Sequence, residues 1–158
     1  MVTTTEKTTL RKSLLEACII LQQSLIDDFR KRIDELRETE GLGNEELYDN
    51  SDVASNTVKA EEITALNEAL KFASEEMSRL ESLRITQESD RHAVTPGAIV
   101  ITNHGTFFIS VSIEKFDVDG FEYIGISTKS PIYQVMHNKG KGETFHYKRT
   151  TYKIKDIL

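Results

Sequence analysis

From Val53 to Thr86 the chain carries neither glycine nor proline, and within that run Ile63, Leu66, Leu70, Ala73, Met77 and Leu80 recur at alternating spacings of three and four. This is a heptad seam. It predicts a long amphipathic helix whose apolar stripe has to be covered by another helix. A candidate partner precedes it: Leu14, Cys18, Leu21, Leu25, Phe29, Ile33 and Leu36 are predicted to share one helical face, with Asp27, Arg30, Lys31, Asp34 and Glu35 largely on the others, up to Gly41-Leu42-Gly43. Two helices of roughly 30 residues at 1.5 Å per residue make rods of about 45 Å, and a short connector between equal rods favours an antiparallel coiled-coil hairpin. The connector is then the far tip.

Beyond Thr86 the pattern changes. Polar residues from Gln87 to His92 lead into Thr95-Pro96-Gly97, the one place where proline and glycine adjoin, which sets the expected domain boundary: residues 1–90 as the hairpin, 91–158 as a second body. Ala98 to Thr102, Thr106 to Ile113 and Phe121 to Ser127 are rich in Ile, Val, Phe and Tyr, with turn signals at Asn103-His104-Gly105 and Asp117-Val118-Asp119-Gly120, so each predicts a strand. Ser130-Pro131 opens a short helix, Ser130 as N-cap and Pro131 at its first position, running to about His137 before Lys139-Gly140-Lys141-Gly142. Phe145 to Lys148 and Thr151 to Ile157 complete the strands. The expected class is α+β, a helical hairpin followed by a small antiparallel sheet with one short helix packed on it.

Charge follows the same division. Up to Asp90 there are 11 Lys and Arg against 20 Asp and Glu, a net −9, whereas Arg91 to Leu158 holds 9 against 6, a net +3. An acidic first half argues against independent wrapping of nucleic acid, because phosphate binding rests on clustered Lys and Arg. Neither a signal peptide nor about 18 consecutive apolar residues occurs, so a cytoplasmic protein is expected. The single cysteine, Cys18, can form no internal disulfide and no multi-cysteine zinc site; on an apolar face with no cation near it in sequence, it is expected to be a buried small hydrophobe.

Candidate chemistry concentrates in the connector. Asp49-Asn50-Ser51-Asp52-Val53-Ala54 places two carboxylates three residues apart at the hairpin tip, with Glu45 and Glu46 adding negative charge. The same residues admit a plain role, since Asp and Ser before a helix are preferred N-caps that complement the helix dipole. Glu61-Glu62 and Glu75-Glu76 are expected to be solvated faces of the coiled coil. His92, His104, His137 and His146 lack metal-ligand spacing and are assigned to surface or turn positions. Ser130 has no His/Asp partners in sequence and is no candidate nucleophile. Tyr133 and Met136 on the short helix fit core packing better than partner contact. Lys139, Lys141, Lys148, Arg149, Lys153 and Lys155 make the second body basic, either as a docking surface or as ordinary solubilising charge.

Taken together, a helical hairpin followed by Val94-Thr95-Pro96-Gly97-Ala98, three strands, Ile126-Ser127-Thr128-Lys129-Ser130-Pro131, Lys139-Gly140-Lys141-Gly142-Glu143 and a terminal Tyr152-Lys153-Ile154 resembles the Gre transcript cleavage factors of bacteria. The resemblance covers nearly the whole chain, and the Ser-Pro helix with its Gly-rich turn is its most diagnostic part. It implies an FKBP-like second body docked at the rim of the RNA polymerase secondary channel, a coiled coil inside the channel, and tip acids at the polymerase active centre. The family's tip pattern, Asp-x-x-Glu-x-Ala, falls on Asp49, Asp52 and Ala54, with Asp52 one methylene shorter than Glu. Asn50 stands where the family usually has Leu, and Val53 where it has Asn. The six residues also look like the Asp-x-x-Asp-x-Ala tip of the initiation regulator DksA, whose multi-cysteine zinc module a chain with only Cys18 cannot build.

By function, the resemblance implies an accessory factor of transcription elongation rather than an enzyme. Asp49 and Asp52 would share Mg²⁺ with the polymerase, not bind it stably alone, and orient water toward backtracked RNA, since Mg²⁺ prefers carboxylate oxygens. Ser130, Pro131, Lys139 and Lys141 would be partner contacts, with nascent RNA and DNA reached only through the polymerase. The alternatives are a DksA-like regulator of initiation, a channel-occupying inhibitor without cleavage, an FKBP-like prolyl isomerase, or a pure interaction module.

Overall fold

A computed structural model describes residues 3–41, 50–85 and 91–158. Helix α1 spans Thr4–Gly41 and α2 spans Asn50–Ile85. The start of α1 is set by a capping box: the Thr3 amide donates to Glu6 Oε2 at 2.6 Å, and the Glu6 amide donates to Thr3 Oγ1 at 3.2 Å. The Thr3 amide, and after it the Thr3 hydroxyl, hold the Glu6 carboxyl below its ordinary range. A helix therefore begins inside the Thr-rich stretch, and its signal in the sequence is the Thr-x-x-Glu spacing. Strands β1 (Ile99–Thr102), β2 (Gly105–Ser110), β3 (Ile113–Val118) and β4 (Phe121–Ser127) precede helix α3 (Pro131–Met136), and β5 (Thr144–Tyr147) and β6 (Thr150–Ile157) follow it. The chain is α+β, as expected.

The chain divides into two compact units, Leu21–Met77 and Met1–Ile20 together with Ser78–Leu158. In the first, the helices pair antiparallel. Gln22 Nε2 donates to the Ala73 carbonyl at 2.9 Å, and Arg32 Nη2 meets Glu62 Oε1 at 3.1 Å, so advancing along α1 means retreating along α2. On α2, Ile63, Leu66, Leu70, Ala73 and Met77 are all buried or half-buried, which is the predicted seam. On α1 the stripe differs from the expectation. Leu21 and Leu25 are each 42% exposed, while Gln22 and Ile26 are 4% exposed beside buried Ile33 and Leu36. The stripe advances by repeated steps of four through this region, and buried Gln22 is tolerated because its amide is bonded across the pair. Glu76 also departs from its expected solvated position, being 2% exposed; Glu75 and Glu61 are exposed and Glu62 is half-buried in its ion pair with Arg32.

In the second unit the six strands form one sheet in the order β3-β4-β2-β1-β6-β5. All neighbours pair antiparallel except β2 and β4, which run parallel from Phe107↔Ile124 to Ser110↔Ser127. The expected strand over Thr106 to Ile113 ends at Ser110, and Ile113–Val118, whose Asp117-Val118 end the sequence pattern assigns to a turn, is a further strand. The chain leaves β2 after Ser110, turns at Val111-Ser112 and resumes as edge strand β3; β4 then fills the slot between β2 and β3, which makes it parallel to β2. Gly125 permits this crossing, because a Cβ there would collide with the Val111 carbonyl oxygen and sit 3.0 Å from the Ile113 nitrogen. Ser110-Val111-Ser112-Ile113 keeps the polar-apolar alternation of a strand, so its periodicity carries no mark of the break.

Each residue of β2 from Phe107 to Ser110 is buried, which requires cover on both sheet faces. One face is the main core, where Phe107 and Ile109 join Val94, Val100, Ile126 and Ile154, with Ile132, Tyr133 and Met136 of α3 packed on it. Phe145 stacks on Tyr152 at 4.9 Å between ring centres. On the other face, the first turns of α1 approach: Cys18 Sγ lies 4.0 Å from Ser110 Oγ, and both residues are buried along with Leu14 and Leu15. Cys18 is the small buried hydrophobe expected, and burial pushes its thiol up to about 12 against a weaker opposing effect of the Ser110 hydroxyl.

Candidate functional site

Of the two tip acids, Asp49 lies outside the described residues, as do Glu45 and Glu46. Asp52 is placed by its backbone in the first turn of α2, two positions after Asn50; its side chain lies outside the described residues. The connector between the two helices is eight residues, 42–49, and so carries Glu45, Glu46 and Asp49. Gln22 meets Ala73 and Arg32 meets Glu62, so continuing the same register brings the end of α1 opposite the start of α2.

The proposed partner contacts sit in the sheet-bearing unit. Pro131 is the first residue of α3, where its missing N–H costs nothing. Ser130 is the N-cap by backbone position, but its hydroxyl does not cap the helix. Instead Ser130 Oγ donates to the Ser127 carbonyl at 2.6 Å, while Ser127 Oγ accepts from the Lys129 amide at 3.2 Å. The two serines close a tight turn that aims α3 back onto the sheet. Ile132, Tyr133 and Met136 enter the core, burial raising the Tyr133 hydroxyl above its ordinary range, and Pro131, Gln134 and Val135 remain on the exposed side. The core role expected for Tyr133 and Met136 is what the structure shows.

The Gly-rich turn is held from both sides. The Lys139 carbonyl accepts from the Val94 amide at 2.9 Å, the Gly140 amide donates to Glu143 Oε2 at 2.5 Å, and the Gly142 amide donates to the Ile154 carbonyl at 2.8 Å. Lys139 is therefore anchored by its backbone, while Lys141 makes an exposed ion pair with Asp156 at 3.8 Å, the kind that contributes little. The histidines occupy turn and surface places. His104 packs edge-on against Tyr152, His137 lies against Tyr133, and His146 Nδ1 is 2.8 Å from Thr151 Oγ1; His92 is exposed. Among the described residues no group of three or more His, Cys, Asp or Glu is arranged to hold a metal ion, and no helix is long and apolar enough to cross a membrane.

No family model matches the chain, and no curated protein matches it. Among solved structures, that of the transcription factor Gfh1 is similar at 14% identity, covering 88% of this chain and 92% of that one with a TM-score of 0.32. A score that low reflects coarse arrangement alone, and functional reasoning has to rest on the chain's own residues.

Proposed function

We propose that this chain is an accessory factor of bacterial RNA polymerase, one that enters the secondary channel with its helical hairpin and brings Asp49 and Asp52 to the polymerase active centre. The observation that carries the reading is the antiparallel pairing of two long helices, with Asp49 and Asp52 at the junction of their sequences. An antiparallel pair of long helices that begins and ends beside an acidic motif suits delivery of that motif into a deep site. The motifs from Val94 to Ala98, at Ser130-Pro131 and from Lys139 to Glu143 support the same assignment. Ser130, Pro131, Lys139 and Lys141 are the proposed docking contacts.

Two carboxylates three positions apart form a donor set that suits Mg²⁺, whose chemistry at a phosphodiester is charge neutralisation and activation of water. Asp49 and Asp52 would hold it jointly with the polymerase, and their part is to bind and orient. On this reading the catalytic centre belongs to the polymerase. One specific observation favours a second outcome. Asp52 sets its oxygens about 1 Å behind those of a glutamate, and reacting geometry tolerates little misplacement, so channel occupancy that regulates transcription without RNA cleavage is the runner-up.

Backtracked elongation complexes with Mg²⁺ provide the test, read as shortened RNA, with an initiation assay alongside. Binding to core polymerase is expected for the unmodified chain and for the Asp49→Ala/Asp52→Ala variant alike. Only the unmodified chain is expected to alter the stalled complexes. Unchanged activity in the double variant refutes the role of the tip, and absence of polymerase binding refutes the assignment as a whole.

A further inference from the structure

Within the sheet-bearing unit a cavity of about 370 Å³ opens between the first turns of α1, the end of α2 and the turn before β1. Among the described residues four cations line it, Arg11 and Lys12 from α1, Arg84 from α2 and Arg91 from the segment leading to β1, with one acid, Glu16. Lys7 stands one turn before Arg11 on the same helix, and like charges at that spacing repel. Such a convergence does not stabilise the fold by itself. Glu81 pairs with Arg84 at 3.5 Å and accounts for one of the cations. Arg11 is different: its Nε is buried and has no hydrogen-bond partner among the described residues. Arg11 is half-buried and lines the cavity, so its guanidinium carries an unmatched donor at the cavity wall.

Arg91 is prepared in another way. Its Nη1 donates to the Pro96 carbonyl at 2.5 Å and to Thr95 Oγ1 at 3.3 Å, which fixes the guanidinium plane over the Pro96-Gly97 turn. Gly97 makes room for it, since a Cβ there would lie 2.8 Å from Arg91 Nη2, and its φ of +85° already favours glycine. Arg91 also borders an adjacent recess of about 240 Å³ lined by Lys7 and by the Lys141–Asp156 ion pair. The cavity floor is apolar, formed by Leu15, Leu83 and Phe108, of which Leu15 and Phe108 are buried. Volumes of roughly 300–1,000 Å³ with an apolar lining and a few converging polar groups are typical of small-molecule sites.

We propose that this cavity binds a small organic phosphate or diphosphate, its phosphoryl oxygens on Arg11 and Arg91 and its apolar or ring portion against Leu15, Leu83 and Phe108. Planar guanidinium forks match phosphoryl oxygens in pairs, and a phosphoryl group presents enough oxygens to meet both arginines at once. The inference stands on the cavity alone and is independent of any role at the polymerase.

Isothermal titration of the full chain with adenosine 5′-diphosphate, phenyl phosphate, inorganic pyrophosphate and adenosine tests it. Saturable one-to-one binding is expected for the two organic phosphates, weaker binding for pyrophosphate and none for adenosine. Loss of one charge-assisted fork in Arg11→Gln is expected to weaken binding about tenfold or more, and Arg11→Lys by less. Lys71→Gln, an exposed cation of the other unit, is expected to change nothing. Circular dichroism confirms that each variant is folded, and Gly97→Ala, which displaces Arg91 without removing charge, is expected to weaken binding as well. Absence of saturable binding overturns the proposal, as does an equal loss in Arg11→Gln and Lys71→Gln, which marks general attraction of anions to lysine and arginine.

Discussion

Cys18 offers a direct measurement of whether α1 stays packed on β2, because its thiol faces Ser110 with no exposed surface. At pH 8 a thiol of ordinary pKa 9.0 is about one-tenth ionised, whereas one raised to about 12 is ionised about once in ten thousand molecules. The ratio is about 1000. A more basic thiolate is also a better nucleophile, and with a Brønsted slope of about 0.4–0.5 three pKa units return a factor of about 20–30. Ionisation alone therefore slows disulfide exchange with an aromatic disulfide reagent by about 30-fold relative to the urea-unfolded chain, before burial slows it further. The native rate is expected to keep climbing with pH well past 9, where the unfolded chain levels off. Stability carries the same signature. The folded chain holds this proton to higher pH than the unfolded chain does, so the contribution is complete below about pH 9 and is lost as pH rises toward 12, up to about 4 kcal/mol. Other groups titrate in that range, so the difference between the unmodified chain and Cys18→Ala isolates the effect. Native labelling within about threefold of the unfolded rate at pH 8 would show that α1 leaves β2 freely and that the burial argument fails.

Gly125→Ala is expected to cost about 3 kcal/mol or more in urea unfolding, because the clash is with backbone at Val111 and Ile113 rather than with a movable side chain; a loss under about 0.5 kcal/mol would mean that the β2–β3 crossing relaxes easily. Gln22→Leu removes a buried amide bonded to the Ala73 carbonyl, and the hairpin is expected to gain or hold stability while its register loosens, read as broadened spin-label distances between α1 and α2. On the proposed function, Asp52→Glu is expected to raise RNA cleavage in backtracked complexes by adding about 1 Å of reach, and no change would refute the part given to that carboxylate.

The parts of the fold that were legible are those in which one periodicity runs uninterrupted. The α2 seam from Ile63 to Leu80 is such a case, and so is the Pro131 helix start, which needs only the fixed φ of proline. Leu21 and Leu25 misled because leucine and glutamine differ in hydropathy, while the helix pair selects by position; a glutamine that finds a carbonyl partner can outrank a leucine for the seam. The parallel β2–β4 pair was invisible because local pattern does not reveal which strand will be inserted between two others. The basic cavity could not be seen at all. Arg11, Arg84 and Arg91 are remote in sequence, and only the close approach of α1, α2 and the turn before β1 within one unit joins them.

Register connects these observations to function. In a hairpin of two long helices, the connector is delivered to a defined depth only if the helices cannot slide, and apolar seams built of leucine and isoleucine resist sliding weakly because one apolar contact replaces another. A buried polar group changes that balance, since a shift by one turn would leave Gln22 without the Ala73 carbonyl and would separate Arg32 from Glu62. One turn of helix is about 5.4 Å, several times the displacement that separates an aspartate from a glutamate at the tip. A factor that works by placing carboxylates in another protein's active centre gains more from a fixed register than from the last increment of hairpin stability. Gln22 in the seam, where a leucine stood available at the neighbouring position, is the residue choice that such a requirement predicts.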